Sequence, residues 1–166
     1  MYSLNVPVPG RVAALAADLA RELPGAHDRR RGEHTLVVKR LGDGDPPAVM
    51  EARAREVLAD RPPFAVRIDG IDMFEEATNG SSPVVYLSVE SPGLFDLHEH
   101  LCEYFDPIPK IEGDDYTPHV TLARDGDMAA AKRLCERDVE PIEWVVDELS
   151  FLDAEHGNEA GRVALG

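Results

Sequence analysis

The chain has 166 residues, with 32 acidic side chains against 17 basic ones and a formal net charge of −15. That length suits one ordinary domain, or two small lobes sharing a core. The charge argues against non-specific duplex binding, which rests on neutralising phosphates with basic groups. No run of about 18 apolar residues occurs, and the N-terminus lacks a basic-then-apolar leader pattern, so a soluble, cytoplasmic protein is expected.

Only Lys39, Lys110 and Lys132 are lysines, the other basic residues being arginine. An acidic, lysine-poor surface of this kind repels itself in dilute buffer and resists aggregation where salt screens it, as in proteins of salt-in halophiles. Cys102 and Cys135 have no C-x-x-C spacing and lie among apolar residues in helix-like stretches, so they read as buried thiols.

In chain order, "SLNVPVPG" alternates Leu4, Val6 and Val8 as a half-buried strand does, and Pro9-Gly10 breaks it. Val12, Leu15, Ala16, Leu19 and Leu23 then recur at helical spacing up to Pro24-Gly25. After the loop "AHDRRRGE", "HTLVVKRL" reads as strand, "AVMEARAREVLAD" as helix and "FAVRIDGIDMF" as strand with a bulge or bend at Gly70. The second half repeats the order. "VVYLSVES" is a strand, Leu94, Leu97, Leu101 and Phe105 mark a helix, and "HVTLAR" follows a turn-rich loop. "DMAAAKRLCERD" is a helix, "IEWVVDELSFL" answers "FAVRIDGIDMF", and a last strand lies in "GRVAL". The pattern β-α-β-α-β thus occurs twice, giving lobes at about 1–76 and 84–166 joined by "ATNGSSP". Such halves pack about a pseudo-two-fold axis with a cleft between them.

An offset of 85 residues carries His34 onto His119, each opening the strand after its half's first helix and loop. Alternation puts His119 and Thr121 on one face and Val120 and Leu122 on the other. His119 and His34 are then expected to face each other across the cleft. Two imidazoles titrating near pH 6.5 can divide acid and base work on a phosphodiester, and a hydroxyl at i+2 can hold a phosphate oxygen. No carboxylate or cysteine falls at ligand spacing in either motif, so no metal site is expected. His27, His98, His100 and His156 are expected at the surface.

"TPHVTLAR" after a turn-rich loop, with a histidine strand in the equivalent place of the first half, resembles the 2H phosphoesterases, specifically the 2'-5' RNA ligase-like (LigT-like) proteins with two H-x-[T/S] motifs. The resemblance covers nearly the whole chain. It implies a bilobal α+β fold with antiparallel sheets lining the cleft and helices outside. It also implies opening of 2',3'-cyclic phosphate ends of RNA or nucleotides to 2'-phosphate, with reverse 2'-5' ligation in some members, and no cofactor. His34 and His119 match the catalytic histidines and Thr121 the phosphate-binding hydroxyl. The first motif departs at Leu36, where a threonine or serine is expected. Thr35 supplies the hydroxyl only if a bulge turns it inward. Losing one such donor would cost roughly 2–4 kcal/mol in the transition state. Leu36 equally suits a protein that binds phosphate ends without turning them over, and a small cyclic phosphate metabolite is a further substrate class. Arg29, Arg30 and Arg31, just upstream of His34, read as holders of a flanking phosphate or as a solvated loop. Tyr116 reads as a base-stacking or a turn-stabilising ring, and Arg124, on the opposite face of a regular strand, as a supporting residue. A monomer is expected.

Overall fold

The computed structural model of the protein describes residues 1–29 and 33–166. β1 (Tyr2–Val6) opens the chain and ends two residues before Val8, because Pro7 has no N–H to give a neighbouring strand. α1 (Gly10–Ala20) buries Val12, Ala16 and Leu19, and Leu23 is buried just beyond its end. A two-residue strand that the pattern does not foreshadow, β2 (His27–Asp28), leads towards β3 (Leu36–Gly42). α2 (Pro47–Leu58) and β4 (Phe64–Phe74) complete the first half. The second half holds β5 (Val84–Glu90), α3 (Pro92–Cys102), β6 (His119–Arg124), α4 (Met128–Cys135), β7 (Ile142–Val146), β8 (Glu148–Asp153) and β9 (Asn158–Ala164). Ser91 starts α3 by accepting the Leu94 N–H at 3.1 Å and donating to the Ala65 carbonyl at 2.6 Å.

The fold is α+β with two antiparallel sheets, ordered β3-β1-β8-β9 and β2-β6-β5-β4-β7. Each sheet draws on both halves of the chain, so the lobes do not follow the boundaries 1–76 and 84–166. β4 pairs with β5, while β8 pairs with β1. The predicted single strand "IEWVVDELSFL" breaks at Asp147, and its two parts, β7 and β8, belong to different sheets. The helices cross over as well: α1 packs on β6 and α3 on β3. Exchanging two strands and a helix in each direction, β2 and β4 one way and β8 and β9 the other, merges the apolar faces of both halves into one core. The bulge foreseen at Gly70 is present one residue earlier, since Ile68 pairs with Val89 and Gly70 with Ser88. Among the described residues no helix is long and apolar enough to cross a membrane.

A buried polar cluster ties the 106–116 loop to β3. Lys39, fully buried, gives its ammonium to Glu112 Oε1 at 2.6 Å and to the carbonyls of Arg40 at 2.6 Å and Asp106 at 3.0 Å. The same carboxylate accepts the main-chain N–H groups of Ile108 at 3.0 Å and Arg40 at 2.9 Å. His98 is 1 % exposed, which corrects its expected place at the surface. Its Nδ1 donates to the Val38 carbonyl at 2.7 Å and its Nε2 accepts from Gly113 N at 3.0 Å, which fixes one neutral tautomer. His27 and His156 are exposed, as expected, and His100 is half-buried.

Candidate active site

Both strands that carry the motifs are bulged, and the bulges decide which side chains meet. In β6, Thr121 pairs with Tyr86 but Ala123 pairs with Val85, leaving Leu122 as an extra residue. Alternation resets past a bulge, so His119, Thr121 and Arg124 share one face. Arg124 is therefore a cleft residue and not a supporting one on the far side. In β3, Val37 pairs with Asn5 and Lys39 with Leu4, leaving Val38 as the extra residue. Val37 and Arg40 then share a face, with Thr35 at the entry to the strand in line with them.

The two registers superimpose with an offset of 84, one residue short of the spacing between the histidines. It carries Val37 onto Thr121, Lys39 onto Ala123 and Arg40 onto Arg124, each against matching partners in β1 and β5. Thr35 falls on His119, not His34. "TLVVKR" and "HVTLAR" align on their final arginines, and that alignment is the sequence signal for Arg40.

Between the sheets lies a cavity of about 280 Å³ whose lining includes Val37, Arg40, Lys110, Tyr116, His119 and Arg124, with Glu76 and Asp115 as its carboxylates. His119 Nδ1 donates to the Thr117 carbonyl at 2.7 Å, which leaves Nε2 for a ligand. Phe74 meets the imidazole edge-on at 5.3 Å and Tyr86 lies 5.2 Å away. Burial holds the pKa of His119 below its usual value, and the charges of Arg40, Arg124 and Arg29 add to the effect against the bond to Thr117. The ring is therefore a neutral proton acceptor at pH 7. Arg124 is tethered by donation to the Asn79 carbonyl at 2.8 Å.

The other expected site residues separate. His34 is 7 % exposed and is absent from the described lining of the cavity. Both its ring nitrogens are buried without a hydrogen-bond partner among the described residues. Burial, and then Arg29, lower its pKa. Thr121 shares the face of His119 but is 8 % exposed and does not line the cavity. Thr35 is half-buried and also outside the lining. Leu36 is fully buried in the core, so it is not the counterpart of Thr121; by strand register that place belongs to Val37. Tyr116 does line the cavity, but its ring is stacked on His98 at 3.8 Å and its hydroxyl donates to the Val37 carbonyl at 2.7 Å. That ring holds the loop to β3 and has one face already covered. Arg29 is anchored through its main-chain N–H to the Leu122 carbonyl at 3.0 Å, next to the site. Arg30 and Arg31 lie outside the described residues. Among the described residues no group of three or more His, Cys, Asp or Glu side chains is arranged to hold a metal ion.

Burial lowers the pKa of His34, His98 and His119 alike, and the sign of its effect on stability follows. Such groups take up protons more readily when unfolded, so their contribution is complete above about pH 6.5 and declines as pH falls below it. The exposed His156, whose pKa the hydrogen bond to Asp153 raises, works the other way but is screened by solvent. In molar KCl, which screens the acidic surface, the melting temperature should be lower at pH 5.5 than at pH 7.5. A higher value at pH 5.5 would contradict the assignment of these rings as buried and neutral.

Comparison with known proteins supplies the family. A sequence profile of the 2'-5' RNA ligase superfamily matches residues 8–158. No curated protein matches. The protein TT0787 of Thermus thermophilus superimposes with a TM-score of 0.67 at 19 % identity, over 99 % of this chain and 97 % of that one. LigT of E. coli complexed with 3'-AMP gives 0.69 at 17 % identity, over 99 % and 96 %. The same protein complexed with phosphate gives 0.67 at 17 % identity, with the same coverage. At these identities the likeness establishes the fold, and the profile match establishes the rest: the chain belongs to the 2'-5' RNA ligase superfamily.

Proposed function

We propose that the protein opens 2',3'-cyclic phosphate ends of RNA or nucleotides to 2'-phosphates, as a metal-independent cytoplasmic monomer. His119 is the histidine that carries the proton. The observation behind this reading is the accessible, neutral His119 in a cavity that gathers Arg40, Arg124 and Lys110 in a chain of net charge −15. Concentrating cations there, against the charge of the whole, suits an anionic ligand. The 3'-AMP and phosphate held by LigT support the same ligand class.

The chemistry balances with one histidine. Water attacks phosphorus opposite the 3'-oxygen and gives its proton to His119 Nε2. The P–O3' bond breaks, its electron pair leaves with the 3'-oxygen, and that oxygen takes a proton from solvent. The arginines meet the charge that builds on the non-bridging oxygens. His34 is given no step, because its ring nitrogens are buried outside the cavity lining.

A second reading is a protein that holds phosphate ends without turnover. It is favoured by Thr35 and Val37, which stand where the second half has His119 and Thr121. The assay that separates the readings uses purified protein in high salt with EDTA and a 2',3'-cyclic mononucleotide or RNA end. Formation of the 2'-phosphate supports the enzyme. Binding without product leaves the second reading, and loss of product on adding EDTA removes the metal-independent route.

A further inference from the structure

We propose that Arg40 is the phosphate-binding residue of the first half, acting opposite Arg124, and that this arginine pair makes the cleft select a phosphomonoester end, a dianion, over a cyclic phosphodiester. The inference rests on the phosphate-site reading above and adds the class of ligand held most tightly.

Three observations place Arg40 in that role. The registers of β3 and β6 make Arg40 and Arg124 equivalent, so two guanidinium groups approach one cavity from two sheets. Both main-chain polar groups of Arg40 are taken by the buried ion pair: its N–H by Glu112 at 2.9 Å and its carbonyl by Lys39 at 2.6 Å. A residue fixed that firmly presents its side chain from a set origin. The guanidinium itself is only loosely engaged, with Nη1 3.8 Å from Glu112 Oε2 and the side chain 30 % exposed. Among the described residues its donors have no closer acceptor, which leaves them to a ligand.

Phosphate chemistry then gives the selectivity. A guanidinium fork is best matched by two acceptor oxygens. A cyclic diester offers two non-bridging oxygens and one negative charge, too few for two forks. A monoester offers three terminal oxygens and, above its second pKa of about 6, nearly two charges. With Val37 in the place of Thr121's counterpart, no hydroxyl competes for the oxygen that Arg40 would take. As an enzyme, the protein would consequently release its 2'-phosphate product slowly.

The test measures binding of 2'-AMP, 3'-AMP and 2',3'-cyclic AMP by calorimetry in a His119→Asn background, so that the cyclic ligand is not consumed. At pH 7.5 the monoesters should bind at least about tenfold more tightly than the cyclic nucleotide, the scale of one charge-assisted contact. The gap should close by pH 5, where the monoester carries a single charge. Arg40→Gln should weaken the monoesters by about tenfold or more and leave the cyclic nucleotide within about threefold. Arg40→Lys, which keeps the charge without the fork, should fall between. Each variant must melt within a few degrees of the parent; if Arg40→Gln does not, Arg40→Lys alone decides by its loss of the monoester preference. Equal affinity for both ligand classes, or equal loss of both in Arg40→Gln, overturns the inference and spares the phosphate site. Absence of binding by all three ligands overturns the phosphate site and the inference together.

Discussion

His119→Ala should lower the rate of cyclic phosphate opening by two to four orders of magnitude, the usual worth of a positioned general base. His34→Gln should retain a rate within about threefold of the parent, because removing a group that takes no step removes no catalysis. The pH profile carries the same distinction. A base whose pKa is lowered by burial and by three arginines is deprotonated early, so kcat/KM should rise along one limb below pH 6.5 and then stay level. Two histidines sharing the work would instead give a bell around pH 6–7. Matching losses in the His34 and His119 variants, at unchanged melting temperature and with a bell-shaped profile, would return His34 to the chemistry. That result would require the ring to leave its buried position when substrate binds.

The elements are legible in the sequence because burial on one face leaves a direct mark on residue type. The alternation in "SLNV" and the stripe Leu94, Leu97, Leu101 are examples. Family membership is legible in "TPHVTLAR" for a similar reason: a whole strand with its entry turn is long enough to be specific. The bulges at Val38 and Leu122 are not legible. A bulge is decided by how the partner strand pairs, and "HTLVVK" reads equally well with or without one. An offset of 85 therefore reads as soundly as 84, and regular alternation sends Arg124 to the wrong face and passes over Arg40. The exchange of β4 and β8 between sheets is equally non-local, since each strand's own pattern says only that it pairs. His98 is different, because the sequence does carry its signal. Position 98 is four residues after Leu94 and three before Leu101, on the apolar stripe, and the charges of "LHEH" conceal it.

Glu112→Ala should be the most destabilising single substitution near the site, at about 3–5 kcal/mol, because it strands a fully buried ammonium. For a chain of this length that corresponds to a fall in melting temperature on the order of 10 °C. Lys39→Met should also destabilise, though by less, since the carboxylate keeps the N–H groups of Arg40 and Ile108 as donors. The double variant Lys39→Met/Glu112→Leu is the informative one. Replacing a buried ion pair with apolar side chains of similar volume is often neutral or stabilising. Here the pair also satisfies four main-chain groups, the N–H groups of Arg40 and Ile108 and the carbonyls of Arg40 and Asp106. An apolar replacement removes a partner from each, and a buried polar group left without one costs about 1–3 kcal/mol. The double variant should therefore stay at least about 3 kcal/mol below the parent, measured by urea unfolding. It should also raise KM for the cyclic nucleotide, since the loop that the pair anchors carries Lys110 and the Thr117 carbonyl bonded to His119. A double variant as stable as the parent would mean that the ion pair is replaceable packing, and that the geometry of Arg40 and His119 is set by the strands alone.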